Sequence, residues 1–494
     1  MGEAGPVFFE PSFNRAIKVR SRDERITSDA GVLLVREADE RLGLVESLAG
    51  RLFDRRHPVK IRYKLSELLR ERLYALVLNY GVADDLDRLA HDPAFRISVW
   101  DRPGERTVEE RLASQPTHTR LVDILKDKRN LEGLRRALAD WTERHCRGTS
   151  RGQGMMRATV DVDGLPIRTY GGQEGTAFNG YYDEKVYYPL VASLAPEGDY
   201  DSMRLGDGFV HAMLRKGNAA PAEGALRFIR TAHRRCSGWA RVVDFRLDAG
   251  FTIGSVMDGL SDDGIRFVGR LRLNAVLQKL AEPHVRRPVG RPPSEGYEYT
   301  LELGSHQPKS WRHPERLVLC VVDKPDPKTG QLELFPHYFL LVTNWKEDEL
   351  TADGLLTHYR RRGTFEDRLG ELAGAISPRL SSPAFEENEA ILLLSLLAFN
   401  LGNMLRGEIE AVAPHGWDLE RLQTTALKAG ARIIKSGRRL FVDVARAVLP
   451  LWILVIARLE RWRLPPRLIP QPRRAPSHWV PPPRHAHLHV VLRL

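Results

Sequence analysis

The spacing of apolar and polar residues changes near residue 150. Before that point helical spacing dominates. From Lys64 to Tyr80, Leu65, Leu68, Leu69, Leu73, Leu76 and Val77 fall on one side with Arg70, Glu71 and Arg72 between them, which predicts an amphipathic helix ended by Gly81. Ser114-Gln115-Pro116-Thr117 offers a cap followed by a first-turn proline, and Lys126 to Arg147 continues in helix. Residues 1–150 therefore read as a helical N-terminal domain, and Gly148 to Gly154 as a flexible joint. Beyond the joint the period drops to two. In Arg157–Asp163, Ala158, Val160 and Val162 share one face, and Thr159, Asp161 and Asp163 the other. Strands are predicted at Val186–Leu194 and Gly208–Leu214, a helix from Ala222 to Arg235, and a strand over Arg241–Asp248. A helix from Ile253 and a strand over Ile265–Arg270 follow.

Three strands, a helix, a strand, a helix and a strand is the element order of an RNase H-like core. The fold class expected is α/β (α+β): a mixed sheet flanked by helices, with its first part at residues 155–275. Residues 276–345, with the basic loop RRPVGRPPSEG and strands at Tyr297–Leu303, Leu317–Val322 and Tyr338–Thr343, read as a β-rich insertion. Residues 346–462 return to helix, including an almost wholly apolar one from Ala390 to Leu405. The segment 463–494 is rich in Pro and Arg, has no acidic residue, and reads as a disordered tail.

Composition narrows the function. A formal charge of +11 on 494 residues favours a polyanionic partner, although a merely basic soluble enzyme accounts for the charge alone equally well. Three cysteines far apart in sequence give no disulfide framework or zinc site, in keeping with a reducing cytoplasm. The N-terminus lacks the apolar segment of a signal peptide. The apolar run Val448–Ala457 is about half of a bilayer span, so no membrane association is expected.

The candidate chemistry lies in carboxylates. Asp161 and Asp163 leave the same face of a central strand, where a charge is costly unless it meets water, a cation or a metal. Asp248 repeats the arrangement at the end of a second strand. Tyr359, Arg362 and Glu366, spaced by three and four residues, fall on one stripe if the segment is a single helix, in which Gly363 would cost about 1 kcal/mol. Two strand carboxylates and one on a helix form an oxygen-only donor set suited to Mg²⁺ or Mn²⁺. Two such ions can serve an in-line phosphoryl displacement. Arg291, in its Val-Gly-Arg-Pro loop, is a candidate for DNA contact, and Trp345 for stacking on a displaced base, although a plain basic loop and a core tryptophan are the simpler readings.

The segments DVDGLPIRTYGGQEGTAFNGYYDEKVYYPL (161–190), RLDAGF (246–251), TNW (343–345) and YRRRGTFEDRLGEL (359–372), preceded by SDAGVLLVREADERLGL, HDPAF and LASQPTHTRL, occur in one order from residue 28 onward. In that order they resemble the DDE transposases of bacterial insertion sequences, in particular the group named after insertion sequence thirteen-eighty, related to the insertion-sequence-four superfamily. The resemblance implies Asp163, Asp248 and Glu366 as catalytic, metal-holding residues, with Asp161 the alternative for the first. It implies Tyr359 and Arg362 at the DNA end, two Mg²⁺ or Mn²⁺ ions, and double-stranded DNA as partner, both transposon ends and target. It also implies a homodimer on DNA and a cytoplasmic, nucleoid-associated place. Such transposases carry Lys or Arg seven residues after the Glu; here Ala373 stands there, and Arg368 or Arg379 could substitute. That departure leaves a second reading, a decayed DNA-binding repressor of the same fold.

Overall fold

The computed structural model describes residues 7–462, apart from 15, 22–23, 101–107, 150–154, 198–207, 288, 291–292, 327, 333–334 and 438, together with 490–492. The helices used below are α1 (Val32–Leu42), α2 (Leu65–Val77), α3 (Gln115–Leu125), α4 (Lys128–Thr149), α5 (Ala225–Cys236), α6 (Gly254–Asp262), α7 (Ala352–Arg360), α8 (Gly363–Glu371), α9 (Phe385–Val412) and α10 (Leu449–Leu459). One eight-stranded sheet contains β1 (Met155–Gly164), β2 (Leu190–Glu197), β3 (Gly208–Met213), β4 (Ala240–Leu247), β5 (Arg266–Arg270), β6 (Tyr297–His306), β7 (Glu315–Asp323) and β8 (His337–Thr343).

The sheet runs β6-β7-β8-β5-β4-β1-β2-β3. β1, β4 and β5 are mutually parallel, and β2 runs antiparallel to both β1 and β3. This is the RNase H-like order, with the two aspartate-bearing strands side by side at its centre. The β-rich stretch expected as an insertion extends this sheet: β8 pairs antiparallel with β5, and β7 and β6 continue outward.

Alternation along the strands sorts the two faces. Ala158, Val160, Val162, Phe245 and Leu247 pack with Phe228 and Ile229 of α5 and with Val256 and Met257 of α6 in one apolar core. The opposite face is polar at its centre, and α7 packs on it through Leu355 and Leu356 against Val268, Val318 and Leu341. The predicted strand Val186–Leu194 is divided in two. Glu184–Tyr187 joins a three-stranded side sheet with Ile167–Arg168 and Ala177–Asn179, and β2 starts only at Leu190. Pro189, which has no N–H to donate, stands at the break.

The N-terminal helices share their core with the C-terminal part of the chain: Leu34, Leu69, Leu73 and Leu125 are buried with Leu393, Leu397, Leu401 and Trp452. Helix α9 is therefore the axis of the helical layer. It is long and apolar enough to cross a membrane by length and composition, yet 89% of its most apolar window is buried in the protein, as expected of a core helix. Its polar residues meet backbone groups. Asn400 accepts from Phe209 N (2.8 Å) and donates to Phe209 O (2.9 Å), closing the β3 edge of the sheet. Arg25–Thr27 pairs with Ala431–Ser436, tying the N-terminus to the C-terminal hairpin. The flexible joint falls largely outside the described residues, as does the expected disordered tail, except that Val490–Leu492 pairs in parallel with Arg439–Val444. All three cysteines are buried and none is in a disulfide.

Candidate active site

The polar face of β1 and β4 forms three rungs. Thr159 lies opposite Asp244 and Asp161 opposite Arg246 in the parallel register, and Asp163 and Asp248 follow on the same face at the strand ends. The first rung is closed. Asp244, wholly buried, accepts from Arg157 Nε (3.0 Å), Thr159 Oγ1 (3.2 Å) and His358 Nε2 (2.8 Å). The second is closed too: Arg246 donates Nε to Asp161 Oδ1 (2.7 Å) and Nη2 to Asp161 Oδ2 (2.6 Å), with both side chains buried. Its Nη1 reaches the carbonyl of His358 at 2.9 Å. These two rungs clamp α7 onto the sheet through His358, and so fix where the segment carrying Arg362 and Glu366 emerges.

The third rung pairs two carboxylates, Asp163 and Asp248, and it opens into a cavity of about 610 Å³. Asp163, Asp248, Arg362 and Glu366 line that cavity, with Arg272 and a wall of aromatic side chains. Arg362 donates one Nη to Asp163 Oδ2 and the other to Glu366 Oε1. Asp163 also accepts from Gly164 N at 2.7 Å. Burial pushes the Asp163 carboxyl above its ordinary range, against the pull of Arg362, and the neighbouring Asp248 charge adds to the rise. For Arg362 burial opposes the charge, but Asp163, Tyr359, Asp248 and Glu366 together outweigh it and strengthen the guanidinium's hold on its proton. Glu366 stands at the mouth, its side chain 61% exposed.

The structure thus brings Asp163, Asp248, Glu366 and Arg362 together from three separate stretches of chain. Asp161 does not join them; Arg246 occupies it fully. Tyr359 is half-buried in a small cluster with Leu355, Leu356 and Phe339, and burial pushes its phenol up to about 12, so its hydroxyl keeps its proton. The single helix expected to carry Tyr359, Arg362 and Glu366 is two: α7 ends at Arg360 and α8 begins at Gly363, with Arg361 and Arg362 in the turn. Gly363 is then a first-turn residue rather than a helix-interior one, and a Cβ there would meet nothing within 4 Å. Trp345 lies away from the cavity, half-buried at the edge of the cluster around Tyr359, with the guanidinium carbons of Arg157 and Arg266 at 4.7 and 5.2 Å from its ring centre. Arg291 lies outside the described residues. Arg368 is buried and paired with Glu371, so it does not replace the missing cation at exposed Ala373; Arg379 lines a second cleft together with Ala373.

Asp244, Arg246 and His358 escaped the sequence reading. The first two were legible in principle, because Asp244, Arg246 and Asp248 alternate in RVVDFRLD as Thr159, Asp161 and Asp163 do in RATVDVD. His358 carried no such signal.

No group of three His, Cys, Asp or Glu among the described residues is drawn together closely enough to hold a metal ion, and in this cavity the Arg362 guanidinium bridges Asp163 and Glu366. The donor chemistry nevertheless fits a hard divalent cation: three carboxylates, two of them like-charged neighbours at the end of a sheet, with no sulfur or imidazole among them.

No curated protein matches the chain. Among solved structures, a piggyBac transposase synaptic complex with hairpin DNA is similar at 11% identity and a TM-score of 0.40, covering 80% of this chain and 79% of that one. Residues 9–462 match the family model described as Transposase DDE domain group 1, a span that takes in the sheet, α7, α8 and every residue of the cavity, and the chain therefore belongs to the DDE transposases.

Proposed function

We propose that the protein binds the terminal inverted repeats of an insertion sequence of the thirteen-eighty group and cuts and rejoins DNA there, with Asp163, Asp248 and Glu366 as the metal-holding carboxylates. The observation that carries this reading is the third rung: of the three polar rungs, it alone sets two carboxylates side by side and opens into a cavity. A pair of Mg²⁺ or Mn²⁺ ions on these carboxylates would supply an acidified water and offset charge on the phosphate during in-line displacement.

The chain's own residues do the rest. Arg362 keeps Asp163 and Glu366 facing each other before DNA arrives; a phosphate entering the cavity offers the guanidinium an equivalent bidentate acceptor and frees both carboxylates. Tyr359, whose phenol burial pushes up to about 12, would offer a protonated hydroxyl to the DNA end. The Arg246–Asp161 pair holds β1 and β4 in register, so that Asp163 and Asp248 keep their spacing. Double-stranded DNA ends held between two copies of the chain complete the reading, with Arg291 and Trp345 as further DNA contacts.

The test is Mg²⁺-dependent cleavage of a duplex carrying the element's terminal repeat, by wild type and by Asp248→Ala. Cleavage lost in the variant with DNA binding retained is expected. Binding without cleavage by the wild type would make the protein a DNA-binding relative that has lost catalysis.

A further inference from the structure

Arg215, just beyond β3, is buried, and its guanidinium bonds to backbone carbonyls rather than to a carboxylate. Nε donates to Tyr188 O at 2.9 Å, and Nη1 reaches the carbonyls of Ala220 (2.9 Å), Pro221 (3.1 Å) and Glu223 (2.9 Å). The guanidinium carbon also stands 5.0 Å from the centre of the Tyr188 ring. Burial weakens the guanidinium's hold on its proton, and the nearby Tyr188 and Glu223 pull the other way. A cation withdrawn from water needs bonds to offset the cost, and here those bonds tie two stretches of chain together.

The two stretches flank the two aspartates of the third rung. Tyr188 packs on Gly164 so closely that a Cβ there would overlap its ring, and Gly164 N is the donor to Asp163 Oδ1 at 2.7 Å. Pro221 packs on Gly250, where a Cβ would lie 3.0 Å from Pro221 Cβ and 3.9 Å from Asp248 Oδ2. Gly250 belongs to the turn closed by Phe251 N on Asp248 O at 3.0 Å. Tyr188, Pro221, Gly164 and Gly250 line the carboxylate cavity together with Asp163 and Asp248, whereas Arg215 lies outside that lining. The Arg246–Asp161 pair fixes the strands one rung below; Arg215 acts beyond the strand ends, on the side chains packed against each aspartate's own segment.

We propose that Arg215 is a positioning residue for the reactive rung: by joining Tyr188 to the turn at 220–223 it sets the separation of Asp163 and Asp248 at which the two carboxylates share divalent cations. This rests on the transposase reading and adds to it a residue that touches neither DNA nor metal. A lysine keeps the charge but not the planar fork that reaches both stretches at once.

The experiment is an Mn²⁺ titration of the full chain, with the free ion followed by electron paramagnetic resonance, beside Mn²⁺-dependent cleavage of the terminal-repeat duplex. Arg215→Lys should bind Mn²⁺ about 10- to 100-fold more weakly than wild type, the usual cost of losing a residue that orients metal ligands. Its binding of the duplex in EDTA should be unchanged, and saturating Mn²⁺ should restore most of its cleavage rate. Pro221→Gly, which removes the contact with Gly250 and leaves Arg215 intact, should weaken Mn²⁺ binding in the same direction, and it decides the matter if Arg215→Lys does not fold. Wild-type Mn²⁺ affinity in both variants, whatever their stability, overturns the positioning role while the transposase reading stands. Mn²⁺ binding that Asp248→Ala also leaves unchanged overturns the assignment of the carboxylates, and this proposal with it.

Discussion

Asp161 and Asp163 lie two residues apart on one face of one strand, and each meets an arginine, yet their surroundings make them opposite kinds of residue. Asp161 is matched by Arg246 from the neighbouring strand in a bidentate pair with no solvent, and the remaining Nη of that arginine is used on a helix carbonyl. Charge and geometry balance, and nothing is left to react. Asp163 shares its arginine with Glu366, has Asp248 as its cross-strand neighbour, and faces a cavity. Its rung carries an excess of negative charge that the protein itself offsets only in part. A buried pair of the first kind fixes register; a like-charged pair of the second kind is a place where a cation or a phosphate-bound metal would be welcome.

The largest effect separating the two should come from Asp161→Ala. Removing one partner of a buried ion pair leaves Arg246 charged and unmatched, and the expected loss is about 3–5 kcal/mol of folding stability, read from urea unfolding midpoints. A cost near zero would mean that the pair does not lock the strands. Next comes Arg362→Ala. Its charge-assisted bonds are worth about 1.5–3 kcal/mol, so end cleavage and end binding should fall by roughly 10- to 150-fold, with stability changed far less than in Asp161→Ala. Equal cleavage in this variant would reduce Arg362 to a structural partner of the carboxylates.

The third prediction is a pH dependence. The Asp163 carboxyl is raised in the folded protein, so ionising it costs folding stability. That cost is absent well below the ordinary aspartate range, grows as pH rises through it, and is complete above the raised value. Asp163→Asn should therefore gain on wild type in EDTA as pH rises from that range, and match it in acid. A constant offset across pH, measured by thermal unfolding, would contradict the assigned cause. The smallest effect is expected at Ala373, exposed beside the Arg379 cleft. Ala373→Lys should steepen the salt dependence of DNA binding by about one unit of log–log slope; an unchanged slope would place the DNA backbone elsewhere.

The same comparison shows how far the sequence was legible. Period two in RATVDVD and RVVDFRLD established both strands and their polar faces, and the element order gave the sheet, because these signals are local. Choosing Asp163 over Asp161 required the resemblance. Physically the choice depends on Arg246 standing opposite Asp161 in register and on His358 docking from a helix more than a hundred residues away, neither of which periodicity encodes. The helix break at Arg361–Arg362 was likewise hidden, since helical spacing of Tyr359, Arg362 and Glu366 survives a turn whose backbone stays in the helical region. The β-rich stretch was read correctly as strands but not as a continuation of the central sheet, because pairing of β8 with β5 is a tertiary fact. Phe178, Tyr181 and Tyr182 entered the sequence reading only within the segment 161–190, with no role of their own, and only their folding beside Asp163 gives them a place in the cavity.

The most direct measurement sets Asp161→Asn and Asp163→Asn side by side, following urea unfolding and Mg²⁺-dependent cleavage of a terminal-repeat duplex in the same preparations. The account predicts that Asp163→Asn is folded, at least as stable as wild type at neutral pH, and devoid of cleavage, whereas Asp161→Asn is markedly destabilised. An Asp163→Asn protein that still cuts, or one that loses stability as Asp161→Asn does, would contradict the assignment of the third rung as the reactive one.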